Sequence, residues 1–379
     1  MGKWGNRISN LSILALSFTS GWLGFSYINR VSDQIGGGVL WILGILFTVL
    51  VAIVLGYIFH VIIHEAGHLA GGLLTGWGFV NFAVFGHALV KEDGKLRRKK
   101  FHAQGSAGSC ALTPPEMRED TFPHKLYFSG GFIGNFLFSA LCFFLFFHFA
   151  SSIAFLSRGF FVIGIFGMFM GLQNLIPNKG DLPNDGYFLL RLGNKKNVAM
   201  RRAFWVKMRA QALEAKGVRP RDFPAEWIQL VHIDDVNDLY TLAAATLQYD
   251  YYMDRGELEK ARTFMQALCE KPNQLPETYK LALNCALLFH ELIHECREEE
   301  VDRLYTEALK NYIEAANMHR LSYAYARLVS NDVKKAAEQL DLFQKACEVS
   351  TMPGGIPSEQ AQIALVDTIA DKREKERVK

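Results

Sequence analysis

Between Val39 and Leu74 the chain runs for 36 residues with a single formally charged side chain, Glu65. A helix of that length rises about 54 Å, whereas the hydrocarbon core of a bilayer is about 30 Å thick. The run must therefore tilt, break or protrude, and GGLLTGWG at its end supplies the expected break. Three further stretches are apolar and nearly long enough to cross a membrane: Ile8–Ile28, Leu126–Ala150 and Gly159–Ile176. The first follows Lys3 and Arg7 but lacks a small-residue cleavage site after it, so it reads as an uncleaved span rather than a signal peptide.

Composition changes near residue 195. Phe, Leu, Ile, Val and Gly dominate before it, and Glu, Lys, Arg, Ala and Leu after it. This predicts a mainly α protein in three parts: a polytopic membrane helical bundle of about four spans at 1–195, a cytosolic all-α domain at 196–370, and a charged disordered tail at 371–379. A net charge of +3 is too mild to imply nucleic acid. The basic residues instead gather at the span ends. Lys91, Lys95, Arg97, Arg98, Lys99 and Lys100 follow the second span and Arg191, Lys195, Lys196, Arg201 and Arg202 the fourth, against Arg30 and Arg158 on the other side. Positive charge stays cytoplasmic, which places both termini and the 76–125 loop in the cytoplasm of a multi-pass plasma-membrane protein. The loop alternates apolar residues in VNFAVFGHALV, turns at KEDGK and resumes at FHAQG, the pattern of a small β-hairpin layer. Its KLRRKK run suits anionic lipid head groups. Six cysteines show no CxxC spacing, as expected of reduced thiols.

Two HExxH patterns occur, HEAGH at 64–68 and HELIH at 290–294. Residues four apart share a helix face, so each pair of imidazoles could meet one metal ion with the intervening Glu beside it. HELIH lies on a helix whose apolar stripe includes Cys285, Ala286, Phe289, Leu292 and Ile293; His290 and His294 fall off its centre, on what reads as a solvated edge of a packing helix. His64, Glu65 and His68 sit at the end of a membrane span, where ionisable residues mark function. His60 extends the row, but eight residues rise about 12 Å, too far to share one ion, so it reads as a hydrogen-bonded neighbour.

Two other segments belong at the same membrane face: SGGFIGNFLFSA, 129–140, with Asn135 among glycines, and NLIPNKGDLPNDGYFLL, 174–190. HEAGH, GFIGN and NLIP followed by Asp-Gly, in this order over 39–192, resemble the site-2 protease family of intramembrane zinc metallopeptidases. The resemblance implies His64, His68 and Asp185 as zinc ligands, Glu65 as general base, Asn135 as a substrate-positioning residue, and Asn174 with Pro177 shaping the turn before the Asp. It implies cleavage of a peptide bond in or beside a membrane-spanning substrate. The gap between Pro177 and the Asp-Gly pair is longer than in the commonest family form, which keeps Asp181 as a rival ligand.

In the second half, YYMDRGELEKARTFMQALCEKP at 251–272 resembles a tetratricopeptide repeat through Gly256, Ala261 and the closing Pro272. Helical hairpins in a short solenoid would bind a substrate or regulatory protein. The competing reading is a membrane-anchored helical-repeat receptor with a silent protease fold; the intact Glu65 favours the enzyme.

Overall fold

The computed structural model describes residues 39–92, 94–100, 107–150, 153–179, 183–236, 239–270, 277–306, 316–350 and 352–377. Ile8–Ile28, the expected first span, lies outside them. The chain divides into two compact units, residues 1–91 with 102–197 and residues 92–101 with 198–379.

Three helices of the first unit are long and apolar enough to cross a membrane: α1 (Val39–Leu74), α2 (Lys125–Phe149) and α3 (Ala154–Leu175). Phe47, Leu50, Leu137, Phe144 and Phe147 are all more than 60% exposed, an apolar surface that a protein in water covers. The helices pack on one another through small residues. Gly56 of α1 lies against Ile163 of α3, and Gly164 and Gly171 of α3 lie against Phe143 and Phe136 of α2. Polar groups inside the bundle are satisfied locally: Ser139 donates to the Asn135 carbonyl and Thr48 to that of Gly44.

The break expected at GGLLTGWG falls in its second half: α1 runs on through Gly71 and Gly72 and ends at Leu74. Neighbouring elements approach Gly71 and Gly72 so closely that no side chain fits at either. A Cβ on Gly71 would strike the Leu126 carbonyl, and one on Gly72 the Leu112 side chain. The helix stops one turn later, where Gly76 adopts φ +83° and the Trp77 amide returns to the Gly72 carbonyl at 3.0 Å.

The segment after α1 forms a small antiparallel sheet of strands β1 (Gly78–Val84), β2 (His87–Glu92), β3 (Lys95–Lys100) and β4 (Gly108–Thr113) in the order β3-β2-β1-β4. VNFAVFGHALV is two strands rather than one. Phe85 and Gly86 both take positive φ, 48° and 78°, and close a two-residue turn between Val84 and His87, which pair across it. Alternation survives such a turn, which is why the sequence reads through it. The basic run KLRRKK is β3 itself, while FHAQG lies outside the described residues. β1 pairs with β4 from Val84–Gly108 to Gly78–Thr113, with a bulge between Phe79 and Asn81.

From residue 198 onward the described elements of the second unit are helical: α5 (Val198–Glu214), α6 (Ala225–Ile228), α7 (Leu239–Asp254), α8 (Leu258–Cys269), α9 (Glu277–Ile293), α10 (Glu298–Leu304), α11 (Ala316–Leu328), α12 (Val333–Glu348) and α13 (Ile356–Arg377) follow α4 (Asp185–Gly193) of the first unit. α7 and α8 make a helical hairpin across Gly256, φ +71°, with Ala261 fully buried. The expected disordered tail is helical up to Arg377. Arg373 holds it by donating to the Leu292 and His294 carbonyls at the end of α9, and Arg327 faces Asp371 and Glu374.

Candidate metal centre

His64 and His68 project from the last third of α1, one turn apart, and Asp185 opens α4. His64 Nε2 lies 3.1 Å from His68 Nε2, and Asp185 Oδ2 lies 3.1 Å from the first and 3.3 Å from the second. Among the described residues these three form the one group of His, Cys, Asp or Glu side chains that could hold a metal ion.

The packing around α1 forces this convergence. Where α2 crosses α1, a Cβ on Gly131 would stand within 2.7 Å of both imidazoles, so only glycine leaves room for the two rings. Behind them, His68 Nδ1 donates to the Tyr127 carbonyl at 2.7 Å. A neutral ring bonded this way carries no proton on Nε2. A bare nitrogen facing a carboxylate oxygen at 3.3 Å is repulsive unless a cation lies between them. Asp185 Oδ2 is buried, and among the described residues no N–H or O–H is aimed at it with hydrogen-bond geometry. Three electron-pair donors turned toward one point are the arrangement that could hold a cation.

Asp185 is presented by a built helix start. Asn184 is the N-cap: its Oδ1 accepts from the Tyr187 amide and the Asn178 amide, each at 3.0 Å, and its Nδ2 donates to the Gln173 and Ile176 carbonyls. Gly186 follows because a Cβ there would collide with the Leu175 carbonyl at the end of α3. Sequence reasoning missed Asn184, although an Asn directly before Asp-Gly is a capping signal. It assigned the turn to Asn174 instead. The Asn174 side chain turns back on its own helix, donating to the Met170 carbonyl at 3.1 Å, and no bond joins it to the histidines. Asp181 lies outside the described residues.

Asn135 is fully buried between two histidines, with Nδ2 3.2 Å from His64 Nδ1 and Oδ1 3.3 Å from His60 Nδ1. His60, also fully buried, reaches the Ile163 carbonyl through Nε2 at 3.1 Å. His60 is thus a neighbour in a hydrogen-bonded row and takes no place in the triad.

Glu65 is 9% exposed and receives a backbone hydrogen bond from Cys110 of β4. The strand passes so close that a Cβ on Gly108 would meet the Glu65 carboxylate at 2.9 Å. Burial first, and then that carboxylate, push the Cys110 thiol up to about 12, so it stays protonated and is no nucleophile.

The second HExxH is built differently. His290 is 1% exposed, not on a solvated edge, and neither ring nitrogen has a partner among the described residues. His294 donates from Nδ1 to the His290 carbonyl and pairs through Nε2 with Glu259 at 3.1 Å. Glu291 is engaged by Arg297 at 2.7 Å.

No protein-family model matches the chain, nor does any curated protein or solved structure.

Proposed function

We propose that this protein is an intramembrane zinc metalloprotease of the site-2 protease type, cleaving a membrane-spanning or membrane-associated peptide near the cytosolic face. The observation that carries the proposal is the triangle of His64 Nε2, His68 Nε2 and Asp185 Oδ2, with sides of 3.1–3.3 Å, its two histidines on a helix long enough to cross a membrane. Tetrahedral ligands about 2.0–2.1 Å from zinc stand about 3.3 Å apart, so the triangle fits three corners of a zinc site whose fourth corner is open.

The row behind the triangle suits the same ion. If His60 Nε2–H donates to the Ile163 carbonyl, a neutral His60 presents a bare Nδ1, which needs a donor. An Asn135 amide turned so that Nδ2 faces His60 and Oδ1 faces His64 satisfies every member. His64 then donates from Nδ1 and keeps Nε2 bare for a metal. Amide orientation is fixed by this proton accounting, since its two ends are nearly the same size. On this reading Asn135 orients a zinc ligand as well as, or in place of, positioning substrate.

Zinc held by this donor set would lower the pKa of its water toward about 7 and polarise the scissile carbonyl. Glu65, beside the two histidines in a pocket narrowed by β4, takes the water proton and returns it to the leaving amine. A substrate helix hides its peptide bonds in its own hydrogen bonds and must unwind before attack. β4 is an edge strand beside Glu65, suited to receiving the unwound segment as an added strand.

The same reading includes a fourth span at Ile8–Ile28, a plasma-membrane setting with both termini cytoplasmic, and a helical-repeat domain that recruits a substrate or regulatory protein. Comparison of membrane peptides from cells carrying the native protein and Glu65→Gln tests the enzyme. Fragments present only with the native chain, with zinc retained in the variant, are expected; identical peptide profiles would overturn proteolysis and leave a metal-stabilised receptor.

A further inference from the structure

The second unit contains a cavity of about 400 Å³ that the metal centre does not involve, where α5, α7, α8, α9, α11 and α13 meet. That volume holds a small molecule or one to two amino-acid residues, far more than one bridging water.

Three polar atoms of residues lining it lack any partner among the described residues: Tyr249 Oη, Arg320 Nη1 and Gln362 Oε1. Their residues are 9%, 8% and 6% exposed. Buried polar groups are normally bonded, and three orphans around one cavity mark a place prepared for a ligand. Their positions are fixed from behind. Arg320 is locked by Glu359, Nε to Oε2 at 2.6 Å, and by the Phe289 ring 4.2 Å from its guanidinium carbon. Gln362 donates from Nε2 to Ser358, which leaves Oε1 aimed elsewhere.

The charge around the cavity selects the ligand. Glu359 is matched by Arg320, but Glu214 and Asp250 also line the wall and neither forms an ion pair within the described residues. Lys207 is the cation whose field reaches both. Burial pushes the Asp250 carboxyl up to about 7, a cost that a bound cation removes. A divalent metal is disfavoured, because these carboxylates do not converge as ligands. Leu242, Met253, Met265 and Leu283 supply an apolar remainder, the methionines being adaptable in shape.

We propose that this cavity binds an α-amino group with its adjacent carbonyl and an apolar side chain: a free amino acid or the first residue of a peptide. The ammonium lies between Glu214 and Asp250 and donates to Gln362 Oε1. The carbonyl or carboxylate oxygen accepts from Arg320 Nη1 and Tyr249 Oη, and the side chain rests on the two methionines.

Titration calorimetry of the full chain in detergent tests this with L-leucine, the tripeptide Leu-Ala-Ala and its N-acetylated form. Saturable binding of leucine or of the free tripeptide is expected, weakened about tenfold or more by acetylation and by Asp250→Asn or Glu214→Gln, since each removes a charged hydrogen bond. Tighter binding of the tripeptide identifies a peptide terminus, and tighter binding of leucine a free amino acid. Binding of the acetylated peptide equal to that of the free one, or no saturable binding of leucine or tripeptide to the native chain, overturns the proposal. The acetylation comparison uses native protein and therefore stands even if a cavity variant fails to fold.

Discussion

Gly67 and Gly130 cross with so little space between them that a Cβ on either would strike the carbonyl oxygen of the other. The contact sits one residue before His68 on α1 and one before Gly131 on α2, so the closest approach of the helices and the position of the imidazoles are a single geometric fact. Gly67→Ala should force the helices apart, at a cost of about 1–3 kcal/mol typical of overpacking. A lowered melting temperature together with lost zinc is the expected result; retention of both would mean that the crossing does not hold the site.

Asp185 rather than Asp181 should complete the metal site. Asp185→Ala should lose zinc, measured by elemental analysis of purified protein, because only two ligands remain. Asp181→Ala should retain stoichiometric metal, and the reverse pattern would reassign the ligand.

The row Ile163–His60–Asn135–His64 should behave as support for a ligand. Residues of that kind change metal affinity or activity by about 10–100-fold without abolishing the site. His60→Leu and Asn135→Leu should both fall in that range in competition with a zinc chelator. An effect on peptide turnover with unchanged zinc affinity would assign Asn135 to substrate alone.

His290 carries a pH signature outside the membrane segments. Burial pushes its ring down to about 3 from an ordinary value of 6.5. Below pH 6.5 the unfolded chain gains a proton that the folded one refuses. Stability from this group is therefore intact above 6.5 and falls toward pH 3, by at most about 1.4 kcal/mol per pH unit. Asp250, pushed up to about 7, runs the opposite way, so the comparison is with His290→Leu, in which Asp250 is unchanged. Thermal unfolding at pH 7 and pH 5 should show less acid sensitivity in the variant than in the native chain.

What the sequence could disclose followed the range of the interactions. Apolar length located α1, α2 and α3 to within a few residues, and the spacing of His64 and His68 put them on one helix face. The approach of Asp185 was legible only through the motif resemblance, because about 117 residues separate it from His68 and no local rule spans that distance. His290 was misplaced for a different reason. Leu288 to Ile293 are all buried, so this end of α9 has no solvent face for a stripe to define. The Phe85–Gly86 turn hid because a two-residue reversal keeps apolar alternation intact on both sides.

If the proposed metal site is occupied in a bilayer, the unbroken α1 makes membrane thickness one of its variables. The helix that would face lipid at Phe47 and Leu50 carries the imidazoles about 20 residues further on, roughly 30 Å along its axis. With no hinge at Gly71 or Gly72 to absorb a mismatch, a thicker or thinner bilayer is met by tilting the whole rod. Its far end then shifts relative to the head groups, so lipid composition would set the depth at which Glu65 meets a peptide bond.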